Sequence, residues 1–286
     1  MNPKKQNIVN AAYSLFINKG YNASSIQDIL DEAGVSKGTF YKYFTSKTEC
    51  LIAIMESVGS EIRQKRMSAA VGKSVDDPQI LAEQLCIRIR LNREKNLFAL
   101  YESIFYAQEE VLKKFARDTY VKELDWLSSR IIDVFGKEAE PYAMENAAIV
   151  HGSIQQLTHM WKLTSKDDLP TEELSAFVIR RLKAAITLQV ETGDRFIQEM
   201  KISEVKPLEK ISLQELGNRL KTASKTFLEE EDEDTKHLFD FLGEELAATK
   251  PRKILIESVL SSLANHHSFE PNIVTLLEQA WGEISK

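Results

Sequence analysis

Cysteine, glycine and proline are all scarce in this chain, and each shortage removes a class of structure. Two cysteines in 286 residues exclude a disulfide framework and a cysteine-rich zinc site; Cys50 and Cys86 suit helices as small apolar residues. Eleven glycines and seven prolines leave little to interrupt helices. Apolar residues recur at i, i+3, i+4 from end to end, so the predicted fold class is all-α. Long apolar runs are missing too: Leu51 to Met55 and Leu97 to Tyr101 fall far short of the roughly 20 residues that span a bilayer. The opening MNPKKQN has no apolar signal core. The expectation is a cytoplasmic protein without a membrane partner.

Catalytic signatures are equally sparse. There is no phosphate-binding glycine loop and no convincing nucleophile motif, so no enzyme and no cofactor is predicted. His151 and His159 lie two turns apart, about 12 Å of rise, too far to share one ion. His266 and His267 are neighbours whose side chains point apart. No metal site is expected.

Charge is present but unevenly divided. The chain carries 37 basic and 43 acidic residues, a net of −6; residues 1 to 70 hold nine Lys/Arg against six Asp/Glu, a net of +3. Local potential steers binding, so a basic N-terminal head on an acidic body favours a polyanion at that head alone.

The head contains the most informative segment, SKGTFYKYFTSK from Ser36 to Lys47. Ser36 can cap one helix and Ser46 the next, each accepting from a backbone N–H two or three positions on. Phe40 and Phe44 stand one turn apart and share a buried face. Lys37, Thr39, Tyr41, Lys42 and Tyr43 are left on the open faces, a mixture that neutralises phosphate and donates to its oxygens. Gly38 lets the helix start press close to a groove floor. Upstream, Ser24 and Ser25 precede an apolar stripe of Ile26, Ile29, Leu30 and Ala33 that ends at Gly34. Ile8, Ala12, Leu15 and Phe16 form one face of a first helix that Gly20 stops. Helix, glycine turn, helix is the layout that sets a second helix into the major groove.

From about Lys5 to Leu51 the sequence resembles the tetracycline-repressor (TetR) family of bacterial transcription regulators: an amphipathic first helix, Gly20-Tyr21, the Ile26 to Ala33 helix, Gly34-Val35-Ser36, SKGTFYKYFTSK, then Glu49-Cys50-Leu51. The resemblance implies that Lys37 and Thr39 face the groove, that Tyr41 and Tyr43 hold phosphates, and that Lys47 meets phosphate at the next helix start. It places Gln27 where family members often touch a base or the backbone. Tyr43 stands where many members carry histidine; tyrosine keeps a donor but does not become cationic near neutral pH. The DNA-binding set is Ser25, Gln27, Ser36, Lys37, Gly38, Thr39, Tyr41, Lys42, Tyr43 and Lys47. Two alternatives stay open: Tyr41 and Tyr43 as packing aromatics, and Lys42 as a solvated lysine.

The implied organisation is a helix-turn-helix domain over 1–47, a helical regulatory and dimerisation domain over 48–205 joined to it by a long helix from Lys47 towards Arg66, and an additional helical region over 206–286. Gly72 to Pro78 predicts a break. In the body, Phe98, Tyr101, Phe105 and Trp126 either fill the core or line a pocket for a small hydrophobic inducer, with His151, Gln155 and His159 on one helix face as its polar groups. Helices are predicted over Pro141 to Lys162 and Thr171 to Thr192. On the second, Leu174, Phe177, Val178, Arg181, Leu182 and Ala185 are candidates for a dimer interface, since the resemblance implies a four-helix interface built by such helices. The same stripe can equally be internal core. A twofold homodimer implies a palindromic double-stranded operator.

Beyond residue 205 the chain exceeds the usual family length. Helices are predicted over Ser212 to Glu230, Lys236 to Thr249, Pro251 to His267 and Pro271 to Ile284, with the acidic run Glu229 to Asp234 as a solvated boundary. This region can enlarge the ligand domain, pack over the dimer or bind another protein. The leading expectation is a repressor released from DNA by a ligand; the alternative is a DNA-binding protein of the same fold regulated by a protein partner.

Overall fold

The computed structural model describes residues 3–97, 100–101, 109–197, 211–227, 233–265 and 269–285. Among them there are helices and no strand, and no helix is long and apolar enough to cross a membrane.

The head is built as its local signals dictate. In α1 (Pro3–Asn18) the side chains of Ile8, Ala12 and Phe16 are fully buried, and Gly20 at φ +89° turns the chain. α2 (Ile26–Ala33) starts on a capping box: Ser25 Oγ accepts from Asp28 N at 3.1 Å while the Asp28 carboxylate accepts from Ser25 N at 2.7 Å. It ends on Gly34 at φ +61°, a left-handed stop that suits glycine. α3 (Lys37–Tyr43) is capped by Ser36, and α4 (Lys47–Ala70) by Ser46, which accepts from Glu49 N at 3.1 Å. α1 packs on α2 and on α4.

After the break at Gly72 come α5 (Pro78–Glu94), α6 (Glu110–Phe135), a 3₁₀ turn (Lys137–Tyr142), α7 (Ala143–Thr164) and α8 (Thr171–Thr192). Pro141 lies inside the 3₁₀ turn, so α7 begins at Ala143 rather than at the proline. The C-terminal helices are α9 (Leu213–Phe227), α10 (Glu233–Ala247), α11 (Lys253–Asn265) and α12 (Pro271–Ile284).

The chain folds into two compact units that do not follow chain order. One comprises Met1–Val71, Leu91–Ala116 and Ile211–Lys286; the other comprises Gly72–Arg90 and Arg117–Lys210. From Ile211 onward the C-terminal residues share a unit with the head. The reason lies on α4, whose second half packs against α11 and α12. Met67 belongs to the same core as Leu216, Phe239, Leu260 and Leu277, and Val71 packs on it. Within this bundle α9 and α10 cross backbone to backbone: a Cβ at Gly217 would meet Gly243 O at 2.5 Å.

The second unit has its own core, with Leu81, Leu85 and Ile89 of α5, Leu127 and Ile131 of α6, Ala147 and Val150 of α7, and Leu174, Val178, Leu182 and Ile186 of α8. Buried Arg130 ties its edge together, donating to Gln84 Oε1 at 3.1 Å and to Val75 O at 2.9 Å.

Candidate nucleic-acid interface

The open face of α3 follows from what its closed face buries. Phe40 and Phe44 are buried, their ring centroids 6.0 Å apart. That fixes the helix rotation, and Lys37, Gly38, Tyr41 and Lys42 are left exposed, with Thr39 and Tyr43 half-buried at the margin. Tyr41 is 47% exposed, too open for a core aromatic. Lys37 Nζ stands 6.0 Å from the Tyr41 ring centroid and Lys42 Nζ 5.8 Å from that of Tyr43, so each ammonium is paired with a ring.

Gly38 has no internal reason to be glycine. A Cβ there would meet only Ser36 Oγ, at 3.9 Å, ordinary contact in a helical conformation.

Several hydroxyl and amide groups of the set are already committed inside the head. Ser36 Oγ accepts from Thr39 N at 3.1 Å and shares a bond with Thr39 Oγ1 at 3.0 Å. Ser25 Oγ donates to Asp28 Oδ2 at 2.8 Å, and Gln27 Nε2 donates to Asp31 Oδ1 at 2.7 Å. The bond from Lys19 Nζ, with Ser25's donors, holds the Asp28 carboxyl well below the usual carboxylate range. This keeps the α2 cap charged.

Lys47 is turned further inward than a phosphate-seeking lysine would be. Its ammonium donates to Tyr21 O and Ser24 O, both at 2.8 Å, and lies 4.3 Å from the Tyr21 ring centroid. Partial burial lowers its pKa, opposed by the charges of Glu109 and Asp28. An ammonium has three N–H donors, and these two bonds leave one. Tyr21 is itself buried, in edge contact with Phe16 at 5.1 Å and bonded to Thr48 Oγ1 at 3.1 Å.

Spacing alone does not pick out Tyr21 as a partner for Lys47, Lys19 as a partner for Asp28, or Lys5, whose Nζ stands 5.7 Å from the Phe44 ring centroid. The signal available was the basic start of α1, with Lys4 and Lys5 adjacent. Beside the head, within the same unit, Tyr13 Oη donates to Lys95 O at 2.9 Å and Thr48 Oγ1 to Glu109 Oε2 at 2.6 Å. The segment Leu91–Ala116 is thus tied to the head near both of its ends.

The other two candidate sets fare differently. Phe98 and Phe105 lie outside the described residues. Tyr101 belongs to the head's unit and is partly exposed, whereas Trp126 packs on the core of the second unit. His151 turns inward, its Nε2 3.1 Å from Arg88 Nη2 and its ring 5.3 Å from that of Tyr120, and Arg88 also pairs with Glu123. Gln155 and His159 are exposed. The i, i+4, i+8 spacing drifts around the helix, so the three do not converge.

In the dimer set, Leu174, Val178 and Leu182 are buried within their own unit. They are core, because the stripe meets α5, α6 and α7 first. Phe177 is half-buried beneath Arg181, 4.9 Å from its ring centroid, and Ala185 is half-buried. Exposed apolar side chains stand elsewhere on these helices: Ile149, Met160 and Leu163 on α7, and Leu188 and Val190 on α8.

Residues 8–54 match the bacterial regulatory proteins, tetR family. The chain is 26% identical over 274 residues to the HTH-type transcriptional regulator YerO of Bacillus subtilis (strain 168), covering 94% of this chain and 93% of that protein. It is 25% identical over 209 residues to the HTH-type transcriptional regulator YuxN of the same organism, covering 68% and 67%. It is 35% identical over 66 residues to the HTH-type transcriptional repressor DhaR of Mycobacterium sp. (strain GP1), covering 23% of this chain and 29% of that one.

Proposed function

Because the chain belongs to the tetR family of bacterial regulatory proteins, whose members are DNA-binding transcriptional regulators, we propose that it is a homodimeric repressor released from a palindromic operator by a small hydrophobic ligand. The observation that carries the DNA half is the outward face of α3, where Lys37, Gly38, Tyr41 and Lys42 are exposed on a helix whose other side is locked by Phe40 and Phe44. In this reading Lys37 and Thr39 meet base edges, Tyr41, Lys42 and Tyr43 meet phosphates, and Lys47 spends its third N–H on phosphate. Gln27, at the start of the supporting helix, reaches the backbone. Ser25 and Ser36 serve as caps that fix the starts of α2 and α3.

The exposed apolar side chains of α7 and α8 support a subunit interface, with Ile149, Met160 and Leu188 joining Phe177, Arg181 and Ala185. A twofold pair then matches two half-sites. In the second unit the Arg88, Glu123 and His151 cluster, flanked by Tyr120, is the polar group this reading assigns to the ligand. The chain passes from that unit into the head-bound segment Leu91–Ala116, a route by which a ligand-bound body can bias the heads. The regulator works in the cytoplasm.

The test is to measure mass by light scattering for the free protein and for the protein on its selected operator, then to titrate hydrophobic compounds into the complex. Two chains per palindrome and a compound that releases DNA are expected, and DNA must weaken that compound's binding by the same factor. A single chain per operator rejects the dimer. Release by a protein and by no compound favours the partner-regulated alternative.

A further inference from the structure

The second half of α4 is fastened to the C-terminal bundle by polar contacts that covering an apolar core does not require. Arg63 Nε forms an ion pair with Glu278 Oε2 of α12 at 3.2 Å, without hydrogen-bond geometry. Gln64, buried, donates from Nε2 to Ala264 O at 3.2 Å, and Ser68 Oγ donates to Asn265 Oδ1 at 2.5 Å. Ala264 and Asn265 form the end of α11, where carbonyl groups have no partner further along their own helix. α4 supplies one. Met67 and Val71 then enter the bundle's apolar core. Apolar contact is non-directional and lets a helix roll or slide; the hydrogen bonds of Gln64 and Ser68, with the Arg63 ion pair beside them, fix both its rotation and its register.

We propose that Arg63, Gln64 and Glu278 are positioning residues for DNA binding, and that the C-terminal bundle is a clamp on α4 that sets where the reading helix stands. The leverage is considerable. From Gln64 back to Lys47, just after α3, α4 runs about 25 Å, so a tilt of about 5° at the clamp moves the head by about 2 Å. A base-edge hydrogen bond does not survive that displacement. The proposal rests on the two-half-site reading above, because discrimination between half-site spacings requires two heads held at a fixed separation.

The experiment uses the full chain and palindromes whose half-site separation is one base pair shorter than, equal to and longer than that of the selected operator, together with an isolated half-site. Arg63→Glu and Gln64→Leu are expected to remain dimeric and to bind the isolated half-site within about twofold of wild type, yet to lose about tenfold on the optimal palindrome and to discriminate less between spacings. Adding Glu278→Arg to Arg63→Glu should restore discrimination. Should Arg63→Glu fail to fold, Gln64→Leu and Glu278→Gln carry the same comparison. Wild-type discrimination in these variants, even with a lowered melting temperature, overturns the clamp and leaves the bundle a stabilising appendage. A wild-type protein indifferent to spacing overturns the two-half-site reading, and the clamp with it.

Discussion

Lys47 Nζ lies over the Tyr21 ring, 4.3 Å from its centroid, and donates to the Tyr21 carbonyl oxygen at 2.8 Å. One ammonium therefore joins the start of α4 to the turn between α1 and α2, and these two bonds use two of its three N–H donors. Replacing Lys47 by Met should do two things at once. It should lower the stability of the head by about 1–3 kcal/mol through loss of charged hydrogen bonds to carbonyls. It should also weaken binding to every DNA sequence alike and reduce the salt slope by about 1. Chemical denaturation and anisotropy titrations at several salt concentrations read both; a change in stability alone would confine Lys47 to the fold.

Gly38 separates folding from binding more cleanly. Its added Cβ would find Ser36 Oγ at 3.9 Å and nothing closer, and alanine is the better helix former by about 1 kcal/mol. Gly38→Ala should keep or raise the melting temperature and lower operator affinity, because the new methyl meets DNA rather than protein. Undiminished affinity would show that α3 does not approach a groove at this point.

Gly217 should behave in the opposite way. Its Cβ would meet Gly243 O at 2.5 Å, so α9 and α10 must separate to admit it. Gly217→Ala is expected to destabilise the C-terminal bundle by about 1–3 kcal/mol despite alanine's helix preference. Urea unfolding measures this; equal or greater stability would contradict the backbone crossing.

Glu245 gives the bundle an acid-sensitive point. Nearly buried, it accepts from Arg252 Nη2 at 2.6 Å, Nε at 3.0 Å and N at 2.7 Å, and Arg252, through its side-chain bonds first, draws the carboxyl from an ordinary 4.5 down to about 2. The folded form thus binds this proton more weakly than the unfolded chain does. Stability from the pair is complete above 4.5 and is lost as pH falls from there towards 2. Melting curves across that range should show a steeper acid loss for wild type than for Glu245→Gln, and parallel curves would contradict the pairing.

The helix-turn-helix was legible because its signals are local. Ser25, Ser36 and Ser46 cap as their positions dictate, Gly34 stops α2, and Phe40 with Phe44 sets the rotation of α3. Periodicity also located the body and C-terminal helices to within a few residues. It could not name their partners. Leu174, Val178 and Leu182 form a regular stripe, and a stripe looks the same whether it meets its own chain or a second copy. Gln64 reads as solvated on any helical wheel, since its carbonyl partner at Ala264 is 200 positions away. Lys47 reads as a surface cation because the carbonyls that hold it belong to a turn folded back from α1. Each of these depends on tertiary contacts that residue spacing does not encode.

In the proposed repressor a symmetric pair of chains presents α3 twice to its operator. Selection from a random double-stranded pool with the full-length protein tests it most directly. The expected result is enrichment of a palindrome whose half-site centres lie about one helical turn, or a whole number of turns, apart, with the preferred bases altered by Lys37→Ala. No enriched palindrome, or an enriched sequence indifferent to Lys37, would contradict it.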